Sequence, residues 1–112
     1  MNANQPDLPM QMQLIRKQSE PIDALQNLVF SWAERAFPHR TDASMFLKLY
    51  GEVAELIDAG DDCGDEIADL MILLLDYATR KGVLVGPATM RKLEINMTRV
   101  WEETAMGTYQ HV

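Results

Sequence analysis

The sequence predicts an all-α fold of four helices, and three observations predict it. Apolar residues recur three and four positions apart in four successive stretches, the period of a helix that buries one face. Breakers fall between those stretches, at Pro38, Gly60 and Gly82. No stretch alternates apolar and polar residues in the manner of a half-buried strand. With 112 residues the chain reads as one domain of residues 21–112, preceded by an N-terminal arm of residues 1–20. Its apolar fraction of 47% is enough to form a core, and so short a chain gains from oligomerisation.

The arm is rich in Asn, Gln, Met and Pro and is expected to be partly extended, with Met10, Met12, Leu14 and Ile15 available to dock on the body or on a partner. The first helix is expected to begin near Pro21 or Ile22, because proline is tolerated in a first turn. Leu25, Leu28, Val29, Trp32 and Ala36 give it one face. It stops near Phe37, since Pro38 disfavours helical geometry in the residue before it. The second helix is expected over about Ala43–Ala59, capped by Thr41 or Asp42 and ended by Gly60. Its expected core stripe is Phe46, Leu49, Tyr50, Val53, Leu56 and Ile57, with Lys48, Glu52 and Glu55 on the adjacent stripe.

The third helix is expected over about Asp62–Lys81, capped by Asp61 or Asp62. Its stretch Ile67–Leu75 is apolar on nearly every side apart from Asp69. A helix apolar on all sides must be covered on all sides, which in a four-helix chain calls for a second subunit. The fourth helix is expected from Pro87 to about Ala105, with GTYQHV as a short tail.

The formal charge of −7 excludes a nucleic-acid polymer or an anionic membrane as the natural partner, because both require a basic face. Cys63 is the only cysteine, in keeping with a reducing cytoplasm. The longest apolar run is too short to span a bilayer, and the N-terminus lacks an apolar leader core.

The most informative stretch is residues 48–76. Glu52 and Glu55 are three apart, as are Glu66 and Asp69, so each pair shares a helix face. Between the pairs lies AGDDCGD, a turn. Folding the two helices back across it gathers four carboxylates, which repel one another unless a hard cation sits among them. Oxygen ligands of this kind suit Mg²⁺, Mn²⁺ or Ca²⁺. An EF-hand is excluded, since Gly60 and Cys63 occupy positions that need a ligand and the turn glycine. Further on, Lys92, Asn96 and Arg99 are spaced to share one face of the fourth helix and suit a polyphosphate, or else pair with nearby glutamates. Trp32 and Phe37 are placed to stack a base, or to pack as core, with His39 in the adjoining loop.

GEVAEL followed by DEIADLMILLLDYA resembles the ExxE…ExxD pattern of the MazG-like all-α nucleoside triphosphate pyrophosphohydrolases. KLEINMTRVW is similar to the K…N..R signature of that group, and WAERAFP, KLYGEVAELID and the terminal HV resemble its small phage-type dATP/dGTP diphosphohydrolase branch. The resemblance covers about residues 24–112. It implies a four-helix MazG-like bundle completed as a homodimer or homotetramer, in the cytoplasm (the host's, if phage-encoded). It also implies Mg²⁺-dependent hydrolysis, with Mn²⁺ as a substitute, of a purine dNTP such as dGTP or dATP to the monophosphate and pyrophosphate, by attack of a metal-bound water on the α-phosphorus. Carried over by motif, Glu52, Glu55, Glu66 and Asp69 would be the catalytic metal ligands. Lys92, Asn96 and Arg99 would hold phosphates; apart from the resemblance, Lys48 is a further candidate for phosphate, and Trp32, Phe37 and His39 are the candidates for the base. Many relatives carry a Glu directly before the first motif Glu, where this chain has Gly51. The alternative function is a non-catalytic helical dimer that binds nucleotide or metal as a regulator.

Overall fold

The structure, a computed structural model, describes the backbone of residues 8–112 and the side chains of residues 21–112. Its elements in order are α1 (Leu8–Ala36), α2 (Asp42–Ala59), α3 (Gly64–Arg80), α4 (Val85–Thr98), β1 (Trp101–Glu103) and β2 (Tyr109–His111). α2 packs on α3, α3 on α1, and α1 on α4. The all-α class is as expected, with a small hairpin added.

The backbone is helical from Leu8, where the sequence suggested an extended arm, and it runs unbroken through Pro21. Proline holds φ at a helical value and removes one N–H, at a cost of about 3 kcal/mol within a helix. The Gln, Met, Leu, Arg and Lys residues before it all favour helix. Residues 1–7 and the side chains of Met10, Met12, Leu14 and Ile15 lie outside the described residues.

α2 starts where its cap places it. The Thr41 side chain accepts from the Ser44 N–H, and Ser44 Oγ accepts from the Thr41 N–H, a reciprocal capping box. Gly60 ends it at φ +68°, a conformation open to glycine. α3 is capped by Cys63 and not by Asp61 or Asp62, with no side-chain cap bond. α4 begins at Val85, two residues before Pro87, which still sits in the first turn where its missing N–H has no helical partner.

α4 ends at Thr98 and not near Ala105. The Trp101 indole N–H donates to the Asn96 carbonyl (2.8 Å), tying down one of the last helical carbonyls, and the chain turns back into a hairpin. Trp101 pairs with His111 and Glu103 with Tyr109. Gly107, at φ +74°, makes the reversal, and the Thr104 N–H donates to the Thr108 carbonyl (2.6 Å). The expected tail is therefore half of a β-ribbon, too short for its alternation to stand out in the sequence.

The core of the single chain is small. Val29, Ala33, Met45 and Leu75 are its buried apolar residues among those described. α2 turns Met45, Leu49, Glu52, Leu56 and Ala59 inward, and leaves Phe46, Tyr50, Val53 and Ile57 exposed. The row expected as core is thus largely the outer row. Both rows have helical spacing, and the inner one carries the polar Glu52, which sequence patterning assigns to solvent. Of the outer row, Phe46 has an aromatic neighbour, Tyr77 of α3 (centroids 5.2 Å). Ile67, Met71, Ile72 and Leu74 of α3 are likewise exposed.

Candidate active site

The short turn after Gly60 lays α3 back along α2. This brings ligand atoms of Glu52, Glu55 and Asp69 within 4.8 Å of one another. Glu52 is buried, and Glu55 and Asp69 are exposed. Glu66, half-buried, does not join that group. It sits one turn before Asp69, so the antiparallel pairing carries it about 5 Å further toward the connecting turn.

The carboxylates fit a divalent cation on the structure's own terms. Glu52 Oε2 is buried and has no hydrogen-bond partner among the described residues, a costly arrangement that a bound cation relieves. Glu52 Oε1 accepts from Lys48, whose ammonium lies 3.0 Å away. Glu52 holds the Lys48 pKa above its ordinary value, and Glu55 and Asp69 add to the effect. The cluster thus already holds the Lys48 ammonium.

Lys48, Glu52 and Asp69 also line a pocket of about 670 Å³ whose lining includes Trp32, Phe37 and His39. Trp32 and Phe37 meet edge to face, with ring centroids 5.2 Å apart and planes at 89°. Both remain half exposed, so the pair forms an apolar wall open to a ligand and not a core contact.

Two residues of this pocket, Arg40 and Asp76, were not among the expected site residues. Arg40 Nε donates to Asp76 Oδ2 (2.7 Å) and Nη2 to Asp76 Oδ1 (2.8 Å), a bidentate pair with both side chains almost fully buried. Arg40 also donates to Glu34 (2.8 Å) and to the Phe37 carbonyl (3.2 Å). The Asp76 hydrogen bond, opposed by burial and aided by Glu34, raises the Arg40 pKa. The spacing of Asp69 and Asp76, two helical turns, was the one available hint, masked by the apolar run between them.

The residues expected to hold phosphate are divided. Lys92 and Asn96 line a separate depression of about 360 Å³ on α4, and it shares no lining residue with the first pocket. Arg99 is the α4 C-cap, with extended backbone (φ −85°, ψ 151°), so it leaves the helical face it was expected to share. The expectation assumed a longer helix. The separation arises because α4 packs on α1, whereas the carboxylates come from α2 and α3.

This arrangement, a helical hairpin presenting carboxylates beside an aromatic pocket, is the fold of a MazG-like pyrophosphohydrolase. The chain matches the solved Cyanophage S-2L MazG-like pyrophosphohydrolase, bound to dGDP and three catalytic Mn²⁺ ions per active site. The TM-score is 0.70 at 38% identity, over 80% of this chain and 94% of that one. More narrowly, the profile of the dATP/dGTP pyrophosphohydrolase family matches residues 22–112, and the chain belongs to that family. Its relatives include dATP/dGTP diphosphohydrolases of Salmonella phage PMBT28 (44% identical) and Cyanophage S-2L (39% identical), each aligned over 81% of this chain. The aligned region spans 31% of the Salmonella phage protein and 88% of the cyanophage protein. No helix among the described residues is long and apolar enough to cross a membrane.

Proposed function

We propose that the protein hydrolyses a purine deoxynucleoside triphosphate, dATP or dGTP, to the monophosphate and pyrophosphate. The observation that carries the reading is the meeting of Glu52, Asp69 and the Trp32–Phe37 edge in one pocket. The aromatic edge offers the base a stacking surface, and the carboxylates mark where the triphosphate must come. Three carboxylates repel a bare triphosphate, so the reaction depends on divalent cations. Glu52, Glu55 and Asp69 would hold them, joined by Glu66 from the neighbouring turn. When bound, Mg²⁺ or Mn²⁺ neutralises phosphate charge and lowers the pKa of the attacking water.

The chain's own residues then have distinct tasks. Trp32, Phe37 and His39 fix the base, which sets the α-phosphorus against the carboxylates. Lys48 exchanges Glu52 for a phosphate oxygen. With no side chain at Gly51, the proton of the attacking water passes to one of the motif carboxylates. Lys92, Asn96 and Arg99, set apart from the carboxylates in a single chain, contribute to the leaving pyrophosphate in the assembled protein. That assembly, a homodimer or homotetramer, covers the outer row of α2 and the bare flank of α3. The reading places the protein in the cytoplasm, the host's if it is phage-encoded like the relatives above.

The test is a product assay with each dNTP and NTP, in Mg²⁺ and in EDTA. Monophosphate plus pyrophosphate from dATP or dGTP, lost in EDTA, is expected. Release of orthophosphate, or turnover of no nucleotide, overturns the reading. Nucleotide binding without pyrophosphate release would make the protein a regulator.

A further inference from the structure

We infer that Arg40 and Asp76 form a positioning clamp that sets the distance between the base wall and the carboxylates, and thereby the selectivity for a base-bearing triphosphate. The inference rests on the function proposed above.

Trp32 and Phe37 belong to the end of α1 and the loop after it, whereas Asp69 belongs to α3. Nothing in the covalent chain fixes one against the other, because the loop joins α1 to α2. Beyond the packing of α1 on α3, Arg40 ties the two sides by hydrogen bonds. Its guanidinium holds Asp76, two turns along α3 from Asp69, through two hydrogen bonds. The same guanidinium holds the α1 side through Glu34 and through the Phe37 carbonyl, and it lies 5.6 Å from the centre of the Phe30 ring. These contacts occupy four of its five N–H donors, so its work is to join protein groups rather than to read the substrate. The Phe37 carbonyl is the telling contact, because it fixes the backbone of the residue whose ring forms the wall with Trp32.

A planar, forked donor is required. Lysine keeps the charge but cannot engage both Asp76 oxygens, Glu34 and the carbonyl at once. Misplacing a bound group by about 1 Å costs up to about a hundredfold in rate, so a loosened clamp should be felt through the base.

The experiment compares R40K, D76N and E34Q with the wild type on dGTP, dATP and 1,2-dideoxyribose 5-triphosphate, which has the sugar and triphosphate without a base. Each protein's Tm is measured alongside. For R40K and D76N, kcat/KM for dGTP and dATP should fall about tenfold or more, with the constants for the base-free substrate little changed. E34Q, altering one half-exposed arm, should move the same ratio in the same direction by less. Equal losses on base-bearing and base-free substrates, or no loss on either, overturn the clamp. If R40K and D76N fail to fold, E34Q decides alone, and an unchanged ratio there overturns it. A wild type that treats dGTP and the base-free triphosphate alike would instead sink the base pocket, and one that hydrolyses neither would sink the proposed function.

Discussion

Lys48 reaches across one helical turn to Glu52, its ammonium 3.0 Å from Oε1, while the other carboxylate oxygen of Glu52 is buried without a partner. The lysine is mostly in solvent and the glutamate is not. An exposed cation is thus held by a buried anion with one oxygen unpartnered among the described residues, as expected where a stronger cation can replace it. K48M should therefore lower the Tm of the metal-free protein, since Glu52 loses the positive charge that pairs with it. It should also enlarge the Tm gain on adding Mg²⁺. Equal gains in variant and wild type, read by calorimetry in EDTA and in Mg²⁺, would remove Lys48 from this role.

Glu55 and Asp69 are exposed, so neutralising them should spare the fold while removing cation ligands. E55Q and D69N should each reduce turnover about a hundredfold or more and abolish the Mg²⁺-dependent rise in Tm. Full activity in either variant would take that residue out of the site.

Gly51 sits inside α2, and a Cβ placed there meets nothing within 4 Å. Glycine in a helix interior costs about 0.5–1 kcal/mol relative to alanine. G51A should therefore raise Tm by several degrees, about 4–8 °C per kcal/mol in a domain near this size. A fall in Tm would mean that a neighbouring subunit approaches the helix at this point.

Phe46, Tyr50, Val53 and Ile57 form one exposed row on α2. Placing charges there, as Y50E with I57E, should shift the protein to a smaller species in size-exclusion chromatography with light scattering. An unchanged mass would assign the oligomer contact to another face.

Asp42, at the first turn of α2, accepts from Lys81 and, at 3.4 Å, from Arg80. The Lys81 hydrogen bond holds its pKa below the ordinary 3.8, against a smaller opposing effect of burial. A carboxylate whose pKa is lower in the folded state contributes stability above its unfolded pKa and loses it as pH falls through the folded one. The Tm difference between wild type and D42N should thus be constant near neutrality and shrink once pH drops below about 3.8. A difference that persists in strong acid would show that the contribution is not ionic.

Much of the local structure was legible because its causes span four residues or fewer. The Thr41 cap, the Gly60 stop, the Pro38 boundary and the pairing of Glu52 with Glu55 are all of this kind. The turn AGDDCGD between the two pairs pointed to their meeting, and the structure brings three of the four carboxylates together. What escaped had causes that sequence spacing does not encode. The α4 boundary depended on the Trp101 indole capturing a helical carbonyl, and Glu66 on how far one helix had slid along another.

By itself, then, the sequence determined four helices, the cap and stop of α2 and which carboxylates share a face, because those follow from the helical repeat and from hydrogen bonds between near neighbours. Only the tertiary structure decided which apolar row of α2 faces inward and that Arg40 finds Asp76, 36 residues away. It also decided that buried Gln26 pins the α3–α4 connection, donating to the Val83 carbonyl (2.6 Å) and accepting from the Val85 N–H (2.9 Å). Each of these contacts joins residues far apart in the chain. Their partners are chosen by which surfaces can be buried together, and that choice exists only once the helices have packed.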